Sequence, residues 1–100
     1  MEKQEVIDRI SLLRTKANLS ARALSQRIDL NDGYINRLES KKDFLPSMEV
    51  LLKIIEVCNS SPAEFFYYDI EAYKQDIQII ELLKGVSTDK KAAILALLKK

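Results

Sequence analysis

Residues that interrupt helices are almost absent from this chain, which has two glycines and two prolines in 100 residues. Leucine, isoleucine, alanine, glutamate and lysine, all compatible with helices, are abundant instead. The same composition disfavours sheets, which are rich in β-branched and aromatic residues. We therefore expect an all-α fold.

Composition also narrows the class of protein. Apolar residues make up 47% of the chain and charged residues 31%, the balance of a globular protein. No apolar run approaches the roughly 20 residues that cross a bilayer, and the N-terminal residues do not resemble a secretory signal. The single cysteine, Cys58, lies in an apolar run and is interpreted as a core residue. These features favour a cytoplasmic protein that does not associate with membranes.

Groups that support catalysis are scarce. The chain has no histidine, the commonest general base and transition-metal ligand. It also has no cysteine cluster, glycine-rich phosphate loop or nucleophile elbow. We expect no enzymatic activity, no metal site and no cofactor.

Apolar residues at helical spacing, together with capping residues, predict seven helices. The predicted helices cover residues 3–17, 21–28, 32–40 and 48–58, a short fifth that begins at 62, then 71–84 and a seventh that begins after Ser87. The fourth helix is expected to bury Met48, Leu51, Leu52, Ile55 and Cys58.

Only three residues, 29–31, separate the second and third predicted helices, so these can meet at a steep angle. Ser20 and Asn31 precede the two helices as predicted N-caps. Ser25 is small enough for another helix to pass close by. In the third helix the expected inward residues are Ile35 and Leu38, and the outward residues are Asp32, Gly33, Asn36 and Arg37, with Tyr34 at the edge.

Charge is unevenly distributed, although the net charge is only +1. Residues 14–42 hold seven bases and three acids, whereas residues 61–81 hold one base and five acids. Phosphate binding requires local positive charge, so a basic front half favours a nucleic-acid partner. Chance fluctuation in short windows is the alternative explanation.

Short motifs lie at the ends of the predicted helices and, for the third helix, within it. They are Leu13-Arg14, Leu19-Ser20, Tyr34-Ile35-Asn36, Ile35 with Leu38-Glu39, Pro46-Ser47 and Ser61-Pro62-Ala63-Glu64. None is distinctive alone, but their joint order and distances are hard to obtain by chance. Together they resemble the Xre/Cro-type helix-turn-helix family of phage and bacterial repressors, over residues 9–66.

This resemblance implies a fold and a partner. The fold is a five-helix, lambda-repressor-like DNA-binding domain over residues 1–66, followed by a two-helix C-terminal extension over residues 67–100. The third helix, residues 32–40, would enter the major groove of double-stranded DNA, and the second would lie across the mouth of the groove. The implied function is sequence-specific operator binding by a transcriptional regulator, with repression as the expected outcome.

The implied DNA contacts fall mainly on the third helix. Arg37 either pairs bidentately with guanine or binds a phosphate. Asn36 either binds a phosphate or pairs with adenine. Asp32 either stabilises the positive N-terminus of the helix or accepts a hydrogen bond from the amino group of cytosine. Tyr34 reaches a phosphate or a thymine methyl group, or is a surface aromatic, and Gly33 permits close approach.

Cations and caps complete the predicted DNA-binding set. The resemblance implies that Lys41 and Lys42 contact phosphates, with a solvated charge run as the alternative. Members of the family usually start the second helix with glutamine, where this chain has Ala21, so Arg22 is the expected substitute. The full set is Ser20, Arg22, Asn31, Asp32, Gly33, Tyr34, Asn36, Arg37, Lys41 and Lys42.

Two features are assigned to the scaffold. The resemblance implies an ion pair between Arg14 and Glu39 that orients the third helix. The family often has glycine in the turn after the second helix, where this chain has Asp29. Aspartate adopts positive φ more readily than most residues, so we expect the turn to be kept.

Residues 67–100 lie outside the resemblance. Two amphipathic helices with one apolar face each need a partner surface. We expect a homodimer, because operators of this family are usually two-fold, and packing onto the preceding domain is the alternative. A rival function keeps the fold but regulates through a protein partner bound by residues 67–100, as an antitoxin-like protein or an anti-repressor does.

Overall fold

The computed structural model of the protein describes residues 1–41 and 43–100. Within those residues all regular structure is helical, which confirms the predicted all-α fold. No helix there has the length and apolar character that a membrane span requires. The elements are α1 (Lys3–Lys16), α2 (Ala21–Arg27), α3 (Tyr34–Lys41), α4 (Met48–Val57), α5 (Pro62–Phe65), a 3₁₀ turn (Ile70–Ala72), α6 (Tyr73–Leu83) and α7 (Thr88–Leu98).

The chain forms two compact units, Met1–Ile70 and Glu71–Lys100. The first unit contains α1 to α5, and the second contains α6 and α7. The first unit continues past Phe66, where the sequence predicts the domain to end. Ile70 still packs against the core of the first unit, which explains the later boundary.

Arg9 holds the last residues of the first unit in place. Its side chain is almost completely buried, and its guanidinium donates to the backbone carbonyls of Phe65 at 2.6 Å, Tyr67, and Tyr68 at 3.2 Å. Glu5, one turn earlier on α1, lies 3.4 Å from the same guanidinium. A buried charge is tolerated only when it is paired and hydrogen-bonded, and both conditions are met here.

The core of the first unit draws side chains from all five of its helices. Burying one such side chain stabilises the fold by about 1.5–3 kcal/mol. The buried apolar residues are Ile7, Ile10, Leu13, Leu24, Ile28, Ile35, Leu38, Leu51, Ile54, Ile55, Cys58 and Phe65.

The buried face of α4 differs from the prediction. Leu51 and Ile55 are buried as expected, but Ile54 is buried too, while Met48 and Leu52 are 60% and 43% exposed. At about 100° per residue, Leu52 lies roughly 100° from Leu51 and roughly 160° from Ile54, so it points away from the centre of the face that Leu51, Ile54 and Ile55 share. Met48 is the first residue of the helix and lies at its exposed end.

The turns that follow α1, α2 and α4 pass through left-handed backbone conformations. Asn18, Asp29 and Asn59 have φ angles of 58°, 60° and 58°. Asparagine and aspartate adopt this region more readily than other non-glycine residues. Asp29 therefore supplies the positive φ for which members of the family that the sequence resembles often have a glycine, and the short connection between α2 and α3 is kept, as predicted.

Ser25 joins α2 to α3. Its side chain is completely buried, and its hydroxyl donates to the carbonyl of Ala21 at 2.8 Å and accepts from the backbone N–H of Ile35 at 3.0 Å. The Ile35 N–H donates to this hydroxyl and not to the main-chain carbonyl four residues earlier, which is its partner inside an α-helix. The predicted start of the third helix at Asp32 is therefore wrong: α3 begins at Tyr34, after a turn.

Replacing Ser25 tests this joint. Ser25→Ala leaves the buried amide of Ile35 without an acceptor, which costs about 1–3 kcal/mol. The free energy of unfolding, measured by urea denaturation, should fall by that amount. Thr15→Ala is the control, because it also removes a hydroxyl bond to a main-chain carbonyl, that of Ser11, but at an exposed site. Its expected loss is under about 0.5 kcal/mol, and equal losses would contradict the assignment.

Candidate nucleic-acid interface

The outward sides of α2 and α3 and of the turn between them form one polar surface. On the opposite side of α3, Ile35 and Leu38 are 0% exposed, so their burial determines which side chains point outward. We call the outward set the α2–α3 surface. Its exposed members are Ser20, Arg22, Asn31, Asp32, Gly33, Asn36 and Arg37.

An open hollow of about 630 Å³ lies within this surface. Ala21, at the start of α2, contributes only a methyl group to its lining, where the family resemblance leads us to expect a glutamine. The hollow is large enough to admit a phosphate group. The residues that line it are Ser20, Ala21, Arg22, Asp32, Gly33 and Asn36.

Asn31 shapes the turn that leads into α3. Its side-chain Oδ1 accepts from the Gly33 N–H at 2.9 Å, and its carbonyl accepts from the Tyr34 N–H at 2.9 Å. A Cβ added at Gly33 would meet only that Oδ1, at 3.4 Å. The space outside Gly33 is therefore open, and another molecule can approach the backbone closely there.

Asp32 is held by two side chains of α2. Its Oδ2 lies 3.2 Å from Nε of Arg22, and its Oδ1 accepts from Nε2 of Gln26 at 3.3 Å. The side chains of Arg22 and Asp32 are 73% and 54% exposed. Exposed pairs of this kind contribute only about 0–1 kcal/mol to stability. An acid therefore occupies the α2–α3 surface and engages the cation that lies beside the hollow.

Phe44 supports the edge of this surface. Its ring meets that of Tyr34 edge-on, with centroids 5.6 Å apart, and the Arg37 guanidinium carbon lies 5.5 Å from its centroid. Cation–aromatic contacts at exposed sites contribute about 0.5–1 kcal/mol. Burial raises the pKa of the Tyr34 hydroxyl, an effect that the charge of Arg37 partly opposes, so Tyr34 is a hydrogen-bond donor at neutral pH.

Sequence reasoning missed Phe44. The one signal available was an aromatic residue close behind the lysines that follow the third helix. The spacing of residues gives no sign that Phe44 contacts Arg37, because Arg37 lies within α3 and Phe44 lies beyond its end.

Arg14 and Glu39 form a two-bonded ion pair between α1 and α3. The Arg14 Nε and Nη2 each donate to one Glu39 oxygen at 2.8 Å, and Nη1 donates to the carbonyl of Leu19 at 2.8 Å. Both side chains are about one-fifth exposed, at 20% and 18%. The hydrogen bond to Glu39 raises the pKa of Arg14, although burial opposes it. This pair links α3 to α1 and to the residue before the α2 cap.

The other predicted residues lie as follows. The Ser20 hydroxyl oxygen accepts from the Ala23 N–H at 3.0 Å and so caps α2. Lys41 is exposed and is the last residue of α3, rather than part of the following loop. Lys42, a predicted phosphate contact, lies outside the described residues. Within residues 1–41 and 43–100, no group of three or more acidic or cysteine side chains is arranged to hold a metal ion.

Comparison with known proteins identifies the family. A family model described as helix-turn-helix matches residues 10–65, more than half of the chain. No curated protein and no solved structure matches the chain. The matched residues include α2, the turn and α3, together with the whole α2–α3 surface. The chain belongs to the Xre/Cro-type helix-turn-helix family of DNA-binding transcriptional regulators.

Proposed function

We propose that the protein is a homodimeric transcriptional repressor that binds an operator sequence in double-stranded DNA through the α2–α3 surface. One observation carries the proposal: groups able to bind bases and phosphates lie on the outward side of α3, while Ile35 and Leu38 on its other side are completely buried. A helix presented in this way fits the major groove of B-form DNA. Repression requires only that the bound protein occupy the operator.

Arg37 is the proposed base reader. Its side chain is exposed, and the ring of Phe44 lies near one side of the guanidinium. This contact restricts the rotation of the guanidinium and leaves N–H groups at its edge for a partner. Two parallel bonds from such an edge match the O6 and N7 acceptors of guanine.

The other residues of the predicted DNA-binding set are proposed mainly to position the protein on the DNA backbone. The Ser20 oxygen is used by the α2 cap, but its hydroxyl hydrogen can donate to a phosphate. Asn31 uses its Oδ1 in the turn, which leaves its amide hydrogens as donors. The further proposed backbone contacts are Arg22, Tyr34, Asn36, Lys41 and Lys42, while Gly33 permits close approach and Asp32 faces the base edges.

Substitution of Arg37 tests base reading. A cognate operator is first obtained by selecting bound duplexes from a random pool. Arg37→Ala should then weaken operator binding by about 1–3 kcal/mol and relax the preference at one base pair. Arg27→Ala is the control, since Arg27 is an exposed arginine of α2 outside the proposed set. An equal loss on operator and random duplexes would assign Arg37 to a phosphate instead.

The second unit, Glu71–Lys100, is proposed to form the dimer. Residues 92–98 of α7 are seven consecutive apolar residues, and all of them are exposed. At about 100° per residue such a run covers the whole circumference of a helix. A helix that is apolar all round is normally buried. α6 can cover only one side of α7, so another protein surface is needed.

A second copy of the chain meets that need. Neither α6 nor α7 has a buried residue, and a unit of about 30 residues rarely folds without added support. α6 carries Asp76 and Glu81 with Lys74, whereas α7 carries Lys90 and Lys91 with Asp89. The opposite net charges of the two helices favour pairing of α6 with α7, both within one copy and between two copies. Two such helix pairs make a four-helix bundle with a shared core.

Charged substitutions in α7 test the dimer. Leu95 and Leu98 are 54% and 77% exposed in the single chain. The double variant Leu95→Asp, Leu98→Asp should sediment as a monomer and bind a two-half-site operator about 100-fold more weakly. Leu52→Asp is the control, because Leu52 is 43% exposed in the first unit. A double variant that sediments as a dimer would contradict the assignment of α6 and α7.

A second candidate function is regulation through a protein partner, of the antitoxin or anti-repressor kind. Two observations favour it: the net charge is only +1, and Arg22 is already engaged by Asp32. This candidate predicts that the random-pool selection enriches no duplex sequence. Enrichment of one sequence by the full chain would exclude it as the main function.

A further inference from the structure

We propose that Asp32 is a specificity-determining residue that lowers the affinity of this protein for DNA of arbitrary sequence. It does so by holding Arg22 away from phosphates and by placing a negative charge on the α2–α3 surface. The inference rests on the proposed function, because it concerns how the same surface distinguishes an operator from other DNA.

The geometry of the carboxylate supports this role. Each of its oxygens has one partner on α2: Nε of Arg22 at 3.2 Å and Nε2 of Gln26 at 3.3 Å. Arg22 and Gln26 are four residues apart and so lie on the same side of the helix. Arg22 and Asp32 both line the open hollow beside Ala21. Arg22, the one cation among the described residues that line the hollow, is therefore paired with a carboxylate in the free protein.

The pair is dispensable for the fold. The Arg22 and Asp32 side chains are 73% and 54% exposed, and salt bridges this open to water contribute little to stability. By contrast, the pair of Arg14 with Glu39 is about one-fifth exposed and joins two core helices. Asp32 is therefore distinguished by its position on the α2–α3 surface and not by a contribution to the stability of the fold.

The electrostatic consequence differs between operator and other DNA. Non-specific affinity comes almost entirely from phosphate contacts, each of which adds about 0.9 to the slope of log K against log salt. With Asp32 present, Arg22 must leave its partner before it can bind a phosphate, and the released carboxylate then faces the polyanion. In the major groove only the amino groups of cytosine and adenine donate to a carboxylate. Every base pair carries one of these amino groups, so the sequence decides on which side of the groove it lies. A sequence that places the amino group within reach of Asp32 offsets the cost, and a sequence that places it on the other side does not.

Charge removal at two matched positions tests the inference. Asp32→Asn and Glu49→Gln each remove one negative charge and one partner of an exposed ion pair, since Glu49 lies 3.9 Å from Lys53 on α4. Both full-length variants are titrated with a random-sequence duplex and with the selected operator over a range of salt concentrations. Circular dichroism checks that both are folded.

Asp32→Asn should bind the random duplex about 3- to 10-fold more tightly than the unmodified protein in low salt, with a salt slope steeper by about 0.9. Its ratio of operator to random affinity should fall. Glu49→Gln should change random binding by less than about twofold, because Glu49 lies on α4, outside the α2–α3 surface, and engages none of its cations. Equal gains for the two variants, or weaker random binding by Asp32→Asn, would overturn the inference.

A second background isolates the part played by Arg22. In a chain that already carries Arg22→Gln, Asp32→Asn should no longer steepen the salt slope. If it still does, Asp32 does not act through Arg22 and that part of the inference fails. An unmodified chain that binds no duplex at any salt concentration would instead overturn the proposed function, so the two failures are distinguishable.

Discussion

One buried hydroxyl links α2 to α3, and the arrangement of the α2–α3 surface depends on it. Ser25 is small enough to let the helices approach and polar enough to take the backbone N–H of Ile35, which would otherwise be buried without a partner. With that bond made, α3 begins at Tyr34, and Asp32 and Gly33 are presented from a turn rather than from a helix. The angle and start of α3 therefore follow from a contact within the fold.

Two ion pairs of the same chemistry have different consequences in this molecule. The pair of Arg14 with Glu39 is mostly shielded from water and has two short bonds, so it fixes α3 against α1. The pair of Arg22 with Asp32 is open to water and to any ligand of the α2–α3 surface. The first stabilises the scaffold, and the second sets how much positive charge the scaffold presents. A net charge of +1 is thus compatible with the proposed DNA-binding surface, because the charge that matters for binding is local to that surface.

Local signals made the order of the helices predictable. The helix caps, the apolar spacing and the tolerance of Asp29 for positive φ all act within a few residues. The outward position of Arg37 could be predicted for the same reason, from the spacing of its apolar neighbours in the helix. The start of α3 was not predictable, because the Ile35 amide bonds to a side chain ten residues away. The placement of Phe44 beside Arg37 and the engagement of Asp32 by α2 were missed for the same reason. Contacts of this kind are decided by tertiary packing, which the pattern of one sequence does not encode.

Amide chemical shifts measured while the selected operator is added to the full-length protein test the central claim most directly, namely that the outward side of α3 enters the major groove. The account predicts that the largest changes fall within residues 20–37, with small changes in residues 52–62, which span the end of α4 and the connection to α5. The largest changes in residues 52–62 or 88–98, with residues 20–37 unaffected, would contradict it.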